Sequence, residues 1–277
     1  MGNASAGKAP RTSSSRSVLQ GENGSRIPRP RRPVSSARDP HSRGIEEACV
    51  GPTGTDERPR IDGLYLITSD GSAERSHLGV TAAALDGGVR TVQFRDKSLP
   101  EEAFAELARE VQRLCAEAGA TFIVNDRAHV AMRLRADGLH VGQSDLAQLD
   151  DWRPTWPALF GVSCNGAVHV PAALALGAGY IGCGPVYETS CEHSHKRVIG
   201  LGGLREALLV ASVPVAAIGG IDEARIGSVV ACGPSAVCVK SAIAEAGDMA
   251  AAARRLRERM EAGNAEPYRA RVDGSVR

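Results

Sequence analysis

Eight short apolar runs, separated by stretches of helical character, constrain the fold of this chain more than any other feature. The runs are rich in Val, Ile and Ala, which is typical of parallel strands covered on both faces. Eight strand–helix units in about 200 residues predict an α/β fold, a (β/α)8 TIM barrel that is small for its class. The predicted strands cover residues 64–68, 91–95, 121–125, 138–141, 160–164, 180–186, 213–218 and 236–239.

A doubly wound open sheet is the alternative arrangement of these units, but no GxGxxG motif follows the first predicted strand. The clearest helical stretch covers residues 101–118, where Phe104, Leu107, Val111 and Leu114 fall on one face. The next clearest helical stretches are 167–176 and 249–260. Helical outer faces rich in Ala and Leu are compatible with a homo-oligomer.

The two ends of the chain differ in composition from the region between them. Residues 1–60 hold 7 of the 15 prolines and carry 11 Lys or Arg against 6 Asp or Glu. With few large apolar residues, this segment cannot bury enough surface to offset chain entropy, which predicts a disordered basic tail. Organelle targeting and weak binding of an anionic partner are alternative roles for it. Residues 61–263 are then the barrel, and residues 264–277 are a flexible C-terminal tail.

Composition argues against several classes of partner. A formal net charge of +1 and only 4% aromatic residues give no reason to expect nucleic acid. No apolar run approaches the ~18 residues needed to span a membrane. The seven Cys lack paired metal-ligand spacing, and four of them lie in apolar runs as predicted buried thiols: Cys164, Cys183, Cys232 and Cys238. Reduced thiols favour a cytoplasmic location.

Two neighbouring predicted strands each end in a polar, oxygen-rich tip. The first ends in Asn125-Asp126, and the second runs into residues 142–145 and ends with Asp145. If these strands are adjacent and parallel, Asp126 and Asp145 meet at the same end of the sheet. Two carboxylates beside amide groups suit a hard cation such as Mg²⁺ that also holds a phosphate. Two helix N-caps are the alternative interpretation of the same aspartates.

The second predicted strand ends in a cluster suited to a polyanion. Alternation places Gln93, Arg95 and Lys97 on one face, which gathers an amide and two cations. A surface ion pair between Arg95 and Asp96 is the alternative reading of this segment.

The ends of the last strands indicate a second anion site. Gly219-Gly220 follow the seventh predicted strand, and Lys240-Ser241 follow the eighth. Glycines at this place let backbone N–H groups approach a phosphate, as in many barrels of this class. The chain therefore offers a metal-assisted anion site on strands two to four and a monophosphate site on strands seven and eight.

Residues 61–262 resemble the thiamine phosphate synthase family over every predicted strand. The matching words are LYLIT (64–68), VQFRDK (92–97), NDR (125–127), ADGLHVGQSDL (136–146), GVS (161–163), YIGCGPVYET (180–189), AIGGI (217–221) and SAI (241–243). The NDR word together with HVGQxD is highly diagnostic of that family, whereas Gly-Gly-Ile is shared with many barrels.

The resemblance implies a transferase of thiamine biosynthesis that joins hydroxymethylpyrimidine pyrophosphate to thiazole phosphate, releasing pyrophosphate. The residues it implies for binding the pyrimidine substrate are Gln93, Arg95, Lys97, Asn125 and Ser163. Of these, Arg95, Lys97 and Ser163 would carry the catalytic role, and Asp126 with Asp145 would ligate Mg²⁺. The residues implied around the thiazole phosphate are Thr189, Gly219, Gly220, Lys240 and Ser241.

Three departures from the family pattern keep other functions open. Glu192 replaces a pyrophosphate-binding Lys, Asn165 replaces a His, and Lys240 stands at a position that is usually small and apolar. Lys196 or Arg197 could replace the missing cation. One alternative function is a thiazole tautomerase-like paralogue, although an Asn cannot act as its proton-transfer base. The other is a non-catalytic barrel that binds a phosphorylated ligand.

Overall fold

The computed structural model of the chain describes residues 59–68, 76–146, 149, 158–189 and 197–264. The strands are β1 (Gly63–Ile67), β2 (Thr91–Phe94), β3 (Thr121–Asn125), β4 (Gly138–Val141), β5 (Leu159–Cys164), β6 (Tyr180–Cys183), β7 (Val215–Ile218) and β8 (Ala236–Val239). The α-helices are α1 (His77–Asp86), α2 (Glu101–Glu117), α3 (Ala128–Leu134), α4 (Val170–Ala175), α5 (Gly200–Val210), α6 (Ile226–Val230), α7 (Ser241–Ala244) and α8 (Met249–Asn264).

The eight strands form one closed parallel barrel in chain order. β1 closes it by pairing with β8, with Gly63 opposite Ala236 and Leu66 opposite Val239. This confirms the predicted (β/α)8 barrel, and the open-sheet alternative is wrong. The predicted tails fall outside the described residues, apart from Pro59, Arg60 and Asn264.

Alternation along the strands divides the core into two layers. Outward-facing residues such as Leu66, Phe94 and Val124 pack beneath the helices. Inward-facing residues, among them Tyr65 and Tyr180, fill the barrel itself, and Ile61 joins this inner cluster. Because parallel strands carry apolar residues on both faces, each strand appears in the sequence as a continuous apolar run.

Three strands are shorter than predicted, and a different feature sets the changed end of each. β2 ends at Phe94 rather than Arg95, and the Arg95 N–H donates to Thr68 Oγ1 at 3.0 Å. β6 ends at Cys183, directly before Gly184-Pro185. β7 begins at Val215, since Pro214 has no N–H to give to a ladder.

The helices also differ in detail from their sequence patterns. On α2 the buried stripe comprises Phe104, Ala105, Ala108, Val111 and Cys115, so the predicted Leu107 and Leu114 lie at its half-buried edge. The predicted helix over residues 167–176 begins as a 3-10 turn, Ala167–His169, before α4. Small Ala and Cys side chains set the closest approach of α2 to the sheet, which a search for large apolar residues misses.

Three of the four cysteines predicted to be buried are buried. Cys232 is the exception: it follows α6 and is half-buried, with its Sγ 3.5 Å from the Ser228 carbonyl oxygen. Across the described part of the chain, no helix is both long and apolar enough to cross a membrane.

Candidate active site

Asp126 follows β3 in an unusual backbone conformation. Its φ is 59°, in the left-handed region that few residues other than glycine adopt, although Asp and Asn tolerate it. Its N–H donates to the carbonyl oxygen of His140 on β4 at 2.9 Å. This bond fixes the turn at the C-terminal edge of the barrel, where strand ends converge.

The two predicted metal-ligating carboxylates lie on either side of Gly142. The Gly142 N–H donates to Asp126 Oδ1 at 3.3 Å, and a Cβ built on Gly142 would lie 2.7 Å from Asp145 Oδ2. Burial and then the charge of Asp145 raise the pKa of Asp126, while Lys97, the Gly142 N–H and Arg95 oppose the shift. The electrostatics are those of two carboxylates that repel each other and gain from a shared cation.

The donor set is small but fits Mg²⁺. No cluster of three or more His, Cys, Asp or Glu suited to a metal occurs within the described ranges. Mg²⁺ is commonly held by one or two carboxylates together with water and substrate phosphates. Lys97 Nζ is 3.7 Å from Asp126 Oδ2, and the Lys97 side chain is 42% exposed at this edge of the barrel.

Asp96 is buried and accepts hydrogen bonds from the loop after β2, so the alternative reading, a surface pair of Arg95 with Asp96, is wrong. Its carboxylate accepts from His77 Nε2 at 2.9 Å and from the N–H and hydroxyl of Ser98, both at 2.8 Å. Burial raises the pKa of Asp96, but these bonds and one from the Leu99 N–H outweigh it and lower the pKa to about 2. A fixed carboxylate thus orders the loop that carries Arg95 and Lys97.

Arg127, the third residue of the NDR word, supports the same loop, a role that the sequence did not indicate. Its Nη2 donates to the carbonyl oxygens of Leu99 at 2.7 Å and Asp96 at 3.3 Å. Its guanidinium lies 4.1 Å from the centroid of the Phe104 ring. Arg127 therefore binds backbone, and the loops after β2 and β3 are held as one unit.

Ser163 on β5 faces a small cavity of about 30 Å³ in the mouth of the barrel, which Gln93 and His140 also line. His140 Nε2 is 3.0 Å from Ser163 Oγ, and Gln143 Nε2 donates to the Ser163 carbonyl oxygen at 2.6 Å. His140 was missed as a site residue. Strict alternation along β4 would have placed it inward, two residues after Gly138.

A second cleft of about 320 Å³ lies at the ends of β7 and β8. Of the predicted phosphate-site residues, Thr189, Gly220 and Ser241 line this cleft, whereas Gly219 and Lys240 are not among its lining residues. Lys240 is half-buried directly after β8, and its carbonyl oxygen accepts from the N–H groups of Ile243 and Ala244.

The Gly219-Gly220 pair is required by backbone shape as well as by space. Their φ angles are 104° and 62°. A Cβ on Gly219 would lie 2.4 Å from Pro185 Cβ, and one on Gly220 would lie 2.2 Å from the Glu188 carbonyl oxygen. The loop after β6 therefore packs directly on these glycines.

Arg225, which the sequence did not single out, also lines the second cleft. Its Nη1 donates to the Gly220 carbonyl oxygen at 2.8 Å, and its guanidinium lies 5.0 Å from the centroid of the Tyr187 ring. A cation, a hydroxyl and a glycine-rich turn in one cleft are groups that bind a phosphate.

Comparison with known proteins decides the family. The sequence profile described as thiamine monophosphate synthase matches residues 64–243. The thiamine-phosphate synthase of Methanoregula boonei is 39% identical over 218 residues, covering 77% of this chain and 99% of that protein. The chain belongs to the thiamine monophosphate synthase family. The family expected from the NDR and HVGQxD words, and with it a transferase of thiamine biosynthesis, is confirmed.

Other members of the thiamine monophosphate synthase family agree in sequence and in structure. The thiamine-phosphate synthase of Geobacillus kaustophilus is 40% identical over 205 residues, covering 72% of this chain and 92% of that protein. Thiamine phosphate pyrophosphorylase from Pyrococcus furiosus has a TM-score of 0.65 at 30% identity, covering 73% of this chain and 96% of that one. A 3-hexulose-6-phosphate synthase, at 21% identity and a TM-score of 0.56, shares the fold alone.

Asn165, one of the three departures named in the sequence analysis, joins two loops. Its Nδ2 donates to the carbonyl oxygens of Gly184 and Arg197, both at 2.9 Å. Both amide protons are donated to backbone carbonyl oxygens, so the side chain links the loop after β5 to the loop after β6. The other departure of this region, Glu192, lies outside the described residues, as do Cys191, His193, His195 and Lys196.

Proposed function

We propose that this chain condenses hydroxymethylpyrimidine pyrophosphate with thiazole phosphate to give thiamine phosphate and pyrophosphate. The observation that carries the proposal is the Asp126–Asp145 pair beside Lys97, set at the same barrel edge as a separate cleft that Gly220, Arg225 and Ser241 line. One substrate of this reaction releases a polyanion, and the other keeps its phosphate. An enzyme for the reaction therefore needs two anion sites.

In the proposed reaction, the bond between the pyrimidine's methylene carbon and the pyrophosphate oxygen breaks, and pyrophosphate leaves with the bonding electrons. The thiazole ring nitrogen then bonds to the electron-poor carbon. No general base is needed. Rate enhancement depends on neutralising the departing charge and on aligning the nucleophile.

Asp126 and Asp145 would hold Mg²⁺, and Asn125 would bind the pyrophosphate beside them. Asn125 Nδ2 already donates to Asp126 Oδ1 at 3.1 Å and to the His140 carbonyl oxygen at 3.2 Å. When bound, Mg²⁺ supplies charge neutralisation to the leaving pyrophosphate. Burial and then the charge of Asp145 raise the pKa of Asp126, and the second of these effects supports a shared cation.

Arg95 and Lys97 would add fixed positive charge to the pyrophosphate, and Gln93 and Ser163 would orient the pyrimidine. The loop of Arg95 and Lys97 is held by Asp96 and Arg127, which favours preorganised charge. In the second cleft, Thr189, Gly220 and Ser241 would bind the thiazole phosphate. Arg225 joins this proposal, and Gly219 and Lys240 would contribute from the rim.

The test is incubation of the full-length protein with both substrates and Mg²⁺, followed by detection of thiamine phosphate. We expect Mg²⁺-dependent product from the wild type and none from Asp126→Ala. Asp62→Ala is the matched control, because Asp62 is exposed just before β1, away from the strand ends that form the site. Unchanged turnover in Asp126→Ala would overturn the metal assignment.

The same incubation separates the alternative functions. A tautomerase would isomerise the thiazole substrate with no pyrimidine present, and a binding barrel would take up thiazole phosphate without forming product. The Asn165 amide, with both protons donated to carbonyl oxygens, supports the condensation over the tautomerase.

The proposed location is the cytoplasm, with small molecules as the partners. The described cysteines are free thiols, which agrees with a reducing compartment.

A further inference from the structure

A row of four hydrogen bonds crosses the inside of the barrel and ends at Ser163. Gln93 Nε2 donates to Tyr65 Oη at 2.7 Å, and Tyr65 Oη lies 3.1 Å from Tyr180 Oη. Tyr180 Oη lies 3.0 Å from His140 Nδ1, and His140 Nε2 lies 3.0 Å from Ser163 Oγ. We call this row the relay. It connects five strands, β2, β1, β6, β4 and β5 in that order.

The barrel is shaped to hold the relay. Tyr65 and Tyr180 are 1% and 0% exposed, so water does not compete for their hydroxyls. A Cβ on Gly161 would lie 2.2 Å from Tyr180 Cζ and 2.5 Å from His140 Nδ1. A Cβ on Gly182 would lie 3.0 Å from His140 Cε1. Two inward positions are therefore glycine because the relay occupies the space that their side chains would take.

Both phenols are protonated at neutral pH. Burial raises the pKa of Tyr65, as does the neighbouring Cys238, and these effects outweigh the hydrogen bonds that Tyr65 makes with Tyr180 and Gln93. Burial also raises the pKa of Tyr180, with Tyr65 adding to the shift. Each hydroxyl therefore has one proton to donate and can accept another.

The direction of the first bond sets the direction of the rest. An amide nitrogen only donates, so Tyr65 accepts from Gln93. Among the described residues, Tyr180 Oη is the one acceptor that the Tyr65 hydroxyl reaches, so a buried Tyr65 that satisfies its own proton donates it to Tyr180. Tyr180, having accepted, donates to His140 Nδ1, which must then carry no proton. The ring proton of His140 is then on Nε2, and it is donated to Ser163 Oγ. The hydroxyl proton of Ser163 is left to face the cavity.

We propose that the relay holds His140 in its Nε2–H tautomer and thereby makes Ser163 a hydrogen-bond donor to a ring nitrogen of the pyrimidine. The identity of the ring rests on the proposed function, whereas the direction of the relay does not. Tyr65, Tyr180 and His140 are positioning residues, since they act through Ser163. The opposite direction would need the Gln93 carbonyl oxygen toward Tyr65, and Ser163 could then only accept.

The tautomer can be measured without any substrate. In ¹⁵N NMR of the full-length protein, the His140 signals, identified by their loss in His140→Gln, should show a protonated Nε2 and a bare Nδ1. Tyr180→Phe removes the donor to Nδ1, and we expect the ring to become a mixture of tautomers. A proton on Nδ1 in the wild type, or an unchanged ring in Tyr180→Phe, would overturn the proposal.

Kinetics give the second test. In Tyr180→Phe and in Tyr65→Phe, we expect the KM for the pyrimidine pyrophosphate to rise about tenfold or more, with the KM for thiazole phosphate unchanged. An equal rise in both constants, or no rise in either, would count against the relay. Tyr65→Phe also covers the case in which Tyr180→Phe fails to fold.

Thr91→Val is the matched control. Thr91 lies inward on β2 two residues before Gln93, is fully buried, and its Oγ1 has no hydrogen-bond partner within the described residues. Its variant also removes a hydroxyl from the barrel interior while keeping shape, and both KM values should stay at wild-type levels. If the wild type makes no thiamine phosphate, the proposed function fails, and the NMR measurement still tests the relay.

Discussion

Asp126 combines two unfavourable features in one residue. Its backbone is in the left-handed region, and its carboxylate faces the charge of Asp145 at a half-buried position. Such features persist where the surrounding structure fixes them, and they concentrate at functional sites. Here the His140 carbonyl fixes the backbone, and the Gly142 N–H helps to hold the carboxylate.

The raised pKa of Asp126 predicts how its replacement changes stability. The folded chain binds the proton of Asp126 more tightly than the unfolded chain does. Protonation of Asp126 therefore stabilises the fold at acid pH, and this stabilisation is lost as the pH rises through the pKa of Asp126 in the folded chain. Asp126→Asn keeps a residue that tolerates positive φ and removes the charge. Without divalent metal, we expect its Tm to exceed that of the wild type at pH 7.

The comparison of Tm values should be repeated near pH 3, where the difference should vanish because both chains are then uncharged at this position. Added Mg²⁺ should raise the Tm of the wild type and leave Asp126→Asn unaffected. A lower Tm in Asp126→Asn at pH 7 would contradict the electrostatic account.

Residues that act as charges were easier to predict from the sequence than residues that support them. Asp126, Asp145 and Lys97 were found because acidic and basic groups at strand ends are conspicuous. Arg127 was missed because its partners are backbone carbonyls on a loop 28 and 31 residues away in sequence. Only the fold brings these groups together.

At the scale of elements, a glycine on a strand can be required by a large side chain that packs against it. Gly161 on β5 faces the rings of Tyr180 and His140, and the added Cβ contacts would be 2.2 to 2.5 Å. We expect Gly161→Ala to lower the free energy of unfolding by about 1–3 kcal/mol, as overpacking does. Chemical denaturation is the measurement.

Gly202 on α5 is the control for this substitution. It is exposed, and an added Cβ there would meet nothing within 4 Å. Gly202→Ala should therefore raise the free energy of unfolding by about 0.4–1 kcal/mol. Equal effects at both positions would show that backbone entropy, rather than contact with the relay, controls Gly161.

The bounds of an element were predicted well where its own sequence determines where it ends. They were predicted less well where a contact with another element determines its end. β3, β4 and β8 match their predicted ranges, since polar residues or a change of pattern follow each of them. β2 is one residue shorter than predicted because Thr68, from the end of another strand, takes the Arg95 N–H. That competition is a tertiary effect.

For the whole molecule, the strand pairing that closes the barrel begins at Gly63. Residues before 59 lie outside the described range, and the family profile begins at residue 64. Deleting residues 1–55 should leave Tm and turnover at wild-type values, because the closing β1–β8 pairing starts at Gly63. Thermal melts and product formation check this expectation.

A slightly longer deletion, of residues 1–61, is the informative contrast. It removes Ile61, which is 4% exposed in the inner core, and the Arg60 carbonyl that accepts from Thr121 Oγ1 at 3.2 Å. Loss of one buried aliphatic side chain should lower Tm by on the order of 5 °C. A fall in Tm already on deleting residues 1–55 would show that the basic tail contributes to stability.

The relay has a consequence for how this chain can change over time. Gln93 and Ser163 are separated by three intervening side chains, yet each fixes which protons the other can use. Substitutions at distant sites with no shared partners usually add in free energy, whereas these two should not. A substitution of Gln93 that presents an acceptor instead of a donor to the relay is harmful unless Ser163 changes with it. The two positions are therefore expected to be inherited as a pair.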